Sequence, residues 1–543
     1  MCGIFCALSR HGHVVPDDRT AALLRNRGPD HTGLHQSDVG EVSATFLSTV
    51  LSLRGTAITP QPLVSAGSVL CWNGEAWSIG DETVTGSDSA VVFDRLKTCT
   101  ESPDSKRAVI QLLSNIRGPY AIVFYDANNN HLYYGRDCLG RRSLLKKATS
   151  DGSLVLSSVC DNTTGEAWAE VEADGIYVVD LNHFTDSSSS THIPHTRLGE
   201  TGGLSFALPF PPMNRDSPDG GQDHSQVVSL GDSLRRSVAL RTQHVREAFE
   251  ASPSETHAAK IAILFSGGLD CTLLARLCHD LLPLSEDIDL LNVAFENPRI
   301  HSNLEPGVSP YELCPDRITG RSSHAELERV CPRRWRFIEV NVPYTETLAH
   351  RATVMALMHP HNTEMDLSIS YALYFASRGA GLTSSPTGTS PYTTPARVLL
   401  SGLGADELFG GYQRHATAFA RHSYTGLLDE LALDFSRLGK RNLGRDDRVI
   451  SHSGREARFP FLDESFIALA LQTPVQQKCD FGRPHAPAED PDALIEPAKR
   501  ALRCLAWDLG LRGVAREKKR AIQFGARTAK METGKTKGTH VLA

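Results

Sequence analysis

Apolar and polar positions divide this chain into two unlike halves. As far as about position 180, short apolar runs such as Ala121-Ile122-Val123-Phe124-Tyr125 and Leu154-Val155-Leu156 are broken by Gly, Asn and Asp, which predicts strands joined by turns. Beyond about Ser225 the pattern lengthens. Ile261 to Phe265 is apolar, Thr272 to Leu282 has helical spacing, and Asp289 to Phe295 is apolar again, the order of strand, helix and parallel strand in an α/β domain. Between the halves lie the serine tract 187–190, Pro209-Phe210-Pro211-Pro212 and Asp216-Ser217-Pro218-Asp219-Gly220-Gly221, the composition of a flexible crossing. The expected layout is a domain over 2–185, a linker over 186–225, a second domain over 226–527 and a loose polar tail over 528–543. The Ser/Thr/Pro/Gly-rich stretch Gly381 to Pro395 predicts a disordered surface insertion, a plain loop ahead of a strand at Arg397 to Leu400. No internal repeat is visible.

A length of 543 residues exceeds what one core usually holds, which agrees with two domains. Hydrophobic residues at 40% and charged residues at 22% describe an ordinary globular protein, and a net charge of -7 argues against a general nucleic-acid binder. Arg10, His11, His13, Asp17, Asp18 and Arg19 interrupt any early apolar run, and no later stretch is long enough to span a bilayer. The expectation is a cytoplasmic protein without signal peptide, membrane partner or nucleic-acid partner. The oligomeric state stays open. The 12 cysteines include no C-x-x-C pair, so most are expected to be buried small apolar residues rather than a disulfide framework or zinc site.

Cys2 and Cys271 stand apart from that background. The start Met1-Cys2-Gly3-Ile4-Phe5 puts a thiol where removal of Met1 makes it the N-terminal residue. An unblocked α-amino group, with a reference pKa of about 7.7–8.0, takes a neighbouring thiol proton near neutral pH and so supplies the base that the nucleophile needs.

In the second half, Ile261 to Phe265 runs into Ser266-Gly267-Gly268-Leu269-Asp270-Cys271-Thr272. A buried strand thus delivers a Ser-Gly-Gly turn to a helix N-terminus, where converging backbone N–H groups and the helix dipole bind anions. Asp270 beside a phosphate is repulsive unless a divalent cation bridges them, which makes Mg2+ the natural occupant. Val398-Leu399-Leu400-Ser401-Gly402-Leu403-Gly404-Ala405-Asp406-Glu407 repeats the logic. Because the C-terminal ends of parallel strands face a common crevice, Ser266 and Ser401 are expected to share one nucleotide. Lys499, Arg500 and Arg503, then Arg516, Lys518 and Lys519, are the basic groups available to a polyphosphate.

The N-terminal motifs form a set: Cys2-Gly3-Ile4, Arg27-Gly28-Pro29-Asp30, Arg54 ahead of Gln61-Pro62, Trp72-Asn73-Gly74-Glu75, Gly86-Ser87-Asp88, and Arg136-Asp137 before Gly140. Together they resemble class II glutamine amidotransferases. The resemblance implies the αββα N-terminal-nucleophile sandwich and hydrolysis of glutamine through a cysteinyl thioester. It also implies Cys2 as nucleophile, Asn73 and the Gly74 amide as oxyanion hole, and Arg54, Asn73, Gly74, Glu75 and Asp88 as glutamine contacts. The second half, with its two Ser-Gly clusters, Gly454-Arg455-Glu456-Ala457-Arg458-Phe459-Pro460-Phe461-Leu462-Asp463 and Lys499, is similar to the synthetase domain of glutamine-dependent asparagine synthetases. That implies an α/β parallel-sheet ATP pyrophosphatase fold of the adenine nucleotide alpha hydrolase type, with ATP and Mg2+ as cofactors. Implied ATP contacts are Phe265, Ser266, Gly267, Gly268, Asp270, Val293, Ser401 and Gly402; implied magnesium ligands are Asp270 and Asp406, and Lys499 supports adenylation. The implied chemistry is adenylation of the aspartate side chain, with ammonia arriving through an internal channel to give asparagine.

Departures from that pattern are as informative. Leu403 stands where asparagine synthetases carry a glutamate, and leucine neither accepts a proton nor holds ammonium. Cys271 replaces a serine, and Arg142-Ser143 replaces Lys/Arg-Pro. Ser401 to Glu407 with Gly411-Tyr412-Gln413-Arg414-His415, Pro315-Asp316-Arg317 and Arg441-Asn442-Leu443-Gly444-Arg445-Asp446-Asp447-Arg448 looks most like the divergent eukaryotic asparagine synthetase domain-containing proteins. Three readings stay open: a two-site enzyme with aspartate as acceptor, the same enzyme class acting on another carboxylate, and a non-catalytic protein that keeps the fold.

Overall fold

The computed structural model describes residues 1–161, 167–196, 204, 206–216, 224–246, 258–385, 388–482, 495–531 and 538–542. The chain divides into two compact units. The first comprises Met1–Pro209 together with Thr353–His361 and Leu438–Glu456; the second comprises Phe210–Ala352, Asn362–Arg437 and Ala457–Ala543. Two segments from the C-terminal part of the sequence thus belong to the N-terminal unit.

That unit contains a six-stranded sheet around Gly3–Ser9, Val42–Val50 and His31–Val39, and a seven-stranded sheet centred on Ser68–Gly74, Tyr120–Asp126, His131–Arg136 and Gly175–Asp180. These strands pair antiparallel, with Phe5 opposite Leu47 and Cys71 opposite Val123. Period-two patterning sorts their side chains into two cores. Val69, Cys71, Val123 and Tyr125 join Ile4, Cys6, Leu8 and Phe46 between the sheets. The intervening Leu70, Trp72, Ile122 and Phe124 meet Val92, Leu96, Val109 and Leu113 of helices Asp88–Thr100 and Ser105–Asn115. On the far face of the first sheet, Gly3 and Thr49 meet Leu24 of helix Asp18–Arg27. That helix starts where the Asp17 carboxylate accepts from the Thr20 N–H at 2.9 Å, an N-cap of the usual kind. Helix, sheet, sheet and helices make the αββα sandwich.

The second unit is built on a seven-stranded sheet in which Trp335–Val342, Ile288–Phe295, Ile261–Leu264 and Val398–Leu400 run parallel in that spatial order. Ile288–Phe295 is buried along its whole length, as expected of a strand covered on both faces. Helices Leu269–Leu281, Pro315–Val330 and Glu364–Ser377 follow the strands. Ile261–Leu264 lies between Ile288–Phe295 and Val398–Leu400, so the turn after it adjoins the turn after Val398–Leu400. Adjacent strand ends of this kind form the ligand crevice of open α/β sheets.

The expected contiguous domain over 226–527 is not observed, because Thr353–His361 and Leu438–Glu456 group with the first unit, and three further expectations differ from the structure. Gly381 to Pro395 is not a plain loop: Ala380–Ser385 and Gly388–Thr393 pair as an antiparallel hairpin on the sheet edge. Its Tyr392 hydroxyl donates to Asp289 at 3.0 Å, under the Arg336 guanidinium. Within the expected linker, Ser190–Thr196 is a strand of the seven-stranded sheet of the first unit, paired with Gly175–Asp180; residues 217–221 of that linker lie outside the described residues. In the expected loose tail, Thr528 and Met531 are buried, and the Leu542 N–H donates to the Asn362 carbonyl at 2.7 Å. Low-complexity composition hides such pieces because backbone pairing, not apolar periodicity, holds them. Among the described residues no helix is long and apolar enough to cross a membrane.

Candidate functional site

In the first unit, Cys2 precedes the strand Gly3–Ser9 and opens into a cavity also lined by Arg54, Gly74, Glu75, Asp88 and Glu456. Burial pushes the Cys2 thiol up to about 11; the adjacent N-terminal ammonium and the Leu51 backbone draw it down, and Asp88 and Glu456 add to the rise. Arg54 donates to the carbonyls of Ala76 at 2.9 Å and Val84 at 2.6 Å and lies 3.5 Å from Glu75, so it holds the loop after Gly74 as well as facing the cavity. Asp88 accepts from Trp72 Nε1 at 3.0 Å and from the Ala76 N–H at 2.9 Å. Burial pushes its carboxyl up against the pull of Arg54 and these donors.

Asn73 does not line this cavity, although its neighbour Gly74 does. It is fully buried, and neither Oδ1 nor Nδ2 has a hydrogen-bond partner. Buried amides are ordinarily satisfied, so two unpartnered atoms on one buried side chain set Asn73 apart.

In the second unit, Phe265, Ser266, Gly268, Asp270, Val293, Ser401, Gly402 and Lys499 all line one cavity of about 180 Å³. Gly267 does not. It sits at φ 81°, and a Cβ there would lie 2.5 Å from the Gly320 backbone, so it makes the turn rather than the wall. Lys499 Nζ lies 2.6 Å from both Asp270 Oδ2 and Asp406 Oδ1, and Lys519 pairs with Asp406 Oδ2. Burial alone would raise the Asp406 carboxyl, but Lys499 and Lys519 outweigh it and hold the group well below the usual carboxylate range. Lys499 adopts φ 56°, a strained setting for a side-chain-bearing residue, fixed by its N–H bond to the Phe409 carbonyl at 2.9 Å. A Cβ on Gly411 would strike Asp406 and Lys499; only glycine lets the chain pass the clamp.

Of the other basic groups, Arg503, Lys518 and Lys519 reach this cavity. Arg503 is committed to the carbonyls of Ala498, Ala515 and Glu517, Arg500 to Ile495, and Arg516 stacks on Trp507. Sequence reasoning missed Arg520, Thr319 and Asp316 as cavity residues. Burial pushes the Asp316 carboxyl up to about 7 despite Arg520 and Lys519. The sequence signals for it were the string Pro315-Asp316-Arg317 and Pro315 at a helix start, neither of which places it at the cavity.

Residues 1–198 match the family described as glutamine amidotransferase domain, and 393–429 and 421–523 match asparagine synthase. An asparagine synthetase domain-containing protein 1 of Bos taurus is 34% identical over 636 residues, covering 99% of this chain and 97% of its own. The chain belongs to the asparagine synthetase domain-containing family. Another relative, from Saccharomyces cerevisiae, is 35% identical and covers 95% of this chain and 89% of its own. An asparagine synthetase [glutamine-hydrolyzing] of Brassica oleracea is 22% identical over 88% of this chain and 71% of its own. Against that background Leu403 is half-buried and does not line the second unit's cavity, its N–H donating to Ser401 Oγ at 3.3 Å, and Cys271 packs inside the Ser-Gly-Gly turn with its thiol 3.3 Å from the Gly268 carbonyl.

Proposed function

We propose that this protein is an ATP-dependent, glutamine-hydrolysing amidotransferase of the asparagine synthetase type. The observation that carries the reading is Cys2 opening into a cavity with Arg54, Gly74, Glu75 and Asp88. The Cys2 sulfur attacks the glutamine carboxamide carbon, Asn73 and the Gly74 N–H hold the oxyanion, and ammonia leaves with the proton taken from the thiol. Water then hydrolyses the thioester to glutamate and restores the thiol. Loss of Met1 places the α-amine on Cys2 itself and supplies the base that the buried thiol needs. Glu75 and Asp88 suit the substrate ammonium, and Arg54 its carboxylate.

In the second unit the Ser266-Gly267-Gly268 turn and Ser401-Gly402 take the nucleotide, beside Val293 and Phe265. Lys499 and Lys519 face the phosphates, and an acceptor carboxylate displaces pyrophosphate to form an acyl-adenylate, whose acyl carbon ammonia attacks to give the amide and release AMP. Mg2+ fits Asp270 and Asp406. Asp270 Oδ1 is buried without a hydrogen-bond partner, and Mg2+ characteristically takes one or two carboxylates and completes its shell with phosphates and water. Among the described residues no group of three potential ligands could hold a metal by itself, consistent with a cation that arrives with the nucleotide. When bound, it neutralises polyphosphate charge.

Aspartate is the first acceptor to test, with asparagine as product. Leu403 favours a second reading, in which the same machinery amidates another carboxylate, because an alkyl side chain replaces the acidic group expected there. Pyrophosphate release tested across a panel of carboxylates separates the two. Aspartate alone sustaining release upholds the first, and release that requires a different acid upholds the second.

A further inference from the structure

Cys2 lies just ahead of its strand, outside the ladder that begins with Gly3 opposite Thr49, so its backbone needs an anchor from elsewhere. Arg27, only 1% exposed, provides one: Nε donates to the Cys2 carbonyl at 3.2 Å. The rest of that guanidinium is held by helix Leu443–Ser451, a C-terminal segment that belongs to the same unit. Nη2 pairs with Asp447 Oδ2 at 2.8 Å, and Nη1 donates to Ser451 Oγ at 2.6 Å. Asp447 is fully buried and also accepts from the Ser143 N–H at 3.1 Å. Arg142 lies 3.8 Å from Asp447 and 3.3 Å from Glu456, which lines the Cys2 cavity. Arg27 and Arg142 thus meet Asp447 and Glu456 in one buried cluster. Arg27 is fixed from both sides, as a buried guanidinium must be if it is to hold one geometry.

We propose that Asp447 is a positioning residue of the glutaminase site, setting Cys2 through Arg27, with Ser451 as its helper. The proposal rests on the glutaminase reading above. Asp447 touches no substrate; it fixes the rotamer of the group that fixes the nucleophile, and a misplacement of about 1 Å at a reacting atom lowers turnover by on the order of 10²-fold.

The test uses the full-length protein with Asp447→Asn and, separately, Ser451→Ala. It reads glutamine kcat and KM per folded site, and the rate at which iodoacetamide alkylates Cys2, followed by peptide mass spectrometry. Asp447→Asn is expected to lower kcat by about 10²-fold with KM changed less than about threefold, and to slow Cys2 alkylation markedly. Ser451→Ala, which leaves the ion pair in place, is expected to give a smaller loss of the same kind. Wild-type kcat and alkylation in folded Asp447→Asn would overturn the proposal, as would activity lost only in proportion to folded protein. Should Asp447→Asn fail to fold, wild-type values in Ser451→Ala would overturn it equally. Absence of glutamine hydrolysis in the wild-type protein removes the glutaminase reading instead, and the alkylation rates then decide the positioning role alone.

Discussion

Asn73 has no exposed surface, yet both atoms of its amide lack partners. Leaving such groups unsatisfied costs about 1–3 kcal/mol each, and a developing oxyanion, an acceptor, would relieve the cost at the Nδ2 donor. Asn73→Ala is therefore expected to lower glutamine turnover by about 10²–10³-fold while leaving the melting temperature unchanged or raised; undiminished turnover would remove the oxyanion assignment. Residues of this sort are legible in sequence because they sit in short strings, Trp72-Asn73-Gly74-Glu75 or Ser266-Gly267-Gly268, whose chemistry is local. Arg520 is not legible in that way, being a single charge among the chain's 56 basic residues; Asp316 and Asp447 do stand in recognisable strings, Pro315-Asp316-Arg317 and Asp446-Asp447-Arg448, but the roles argued for them exist only after folding encloses them.

The turn at Ser266 to Gly268 joins a buried strand to a 13-residue helix, and its shape depends on Gly267. With φ at 81° and Gly320 2.5 Å from any added Cβ, Gly267→Ala is expected to destabilise the second unit by about 1–3 kcal/mol or more and to abolish nucleotide binding, as seen by calorimetric titration with ATP. Helix Leu443–Ser451 gives a second prediction at this scale. Its Arg448, with Arg136, faces Glu170; burial alone would raise that carboxyl, but the two guanidinium groups hold it at about 2 against an ordinary 4.5. A depressed carboxyl stabilises the fold fully above its unfolded pKa, and that stability is lost as pH falls from about 4.5 to about 2. The loss amounts to at most about 3 kcal/mol. Glu170→Gln should make unfolding of the first unit less pH-dependent across that window in denaturant titrations; an unchanged slope would contradict the pairing. Elements with apolar periodicity were readable in advance, including the strands at Ala121 and Ile261. The hairpin after Gly379 and the strand at Ser190 were not, because Ser/Thr-rich edge strands carry the composition of loops.

At the scale of the whole molecule, sequence order and structural grouping part company. Motifs assign the two halves cleanly, but Thr353–His361 and Leu438–Glu456 join the amidotransferase unit, and no run of residues announces that exchange. The most direct test of the account is to incubate the purified protein with ATP, Mg2+ and aspartate, with glutamine or ammonium as nitrogen source, and to measure pyrophosphate, glutamate and asparagine together. The account predicts pyrophosphate and asparagine in equal amounts with either source, glutamate only with glutamine, and a Cys2→Ala variant that works with ammonium alone. Intact glutamine and no pyrophosphate under every condition, including a panel of alternative carboxylates, would contradict it.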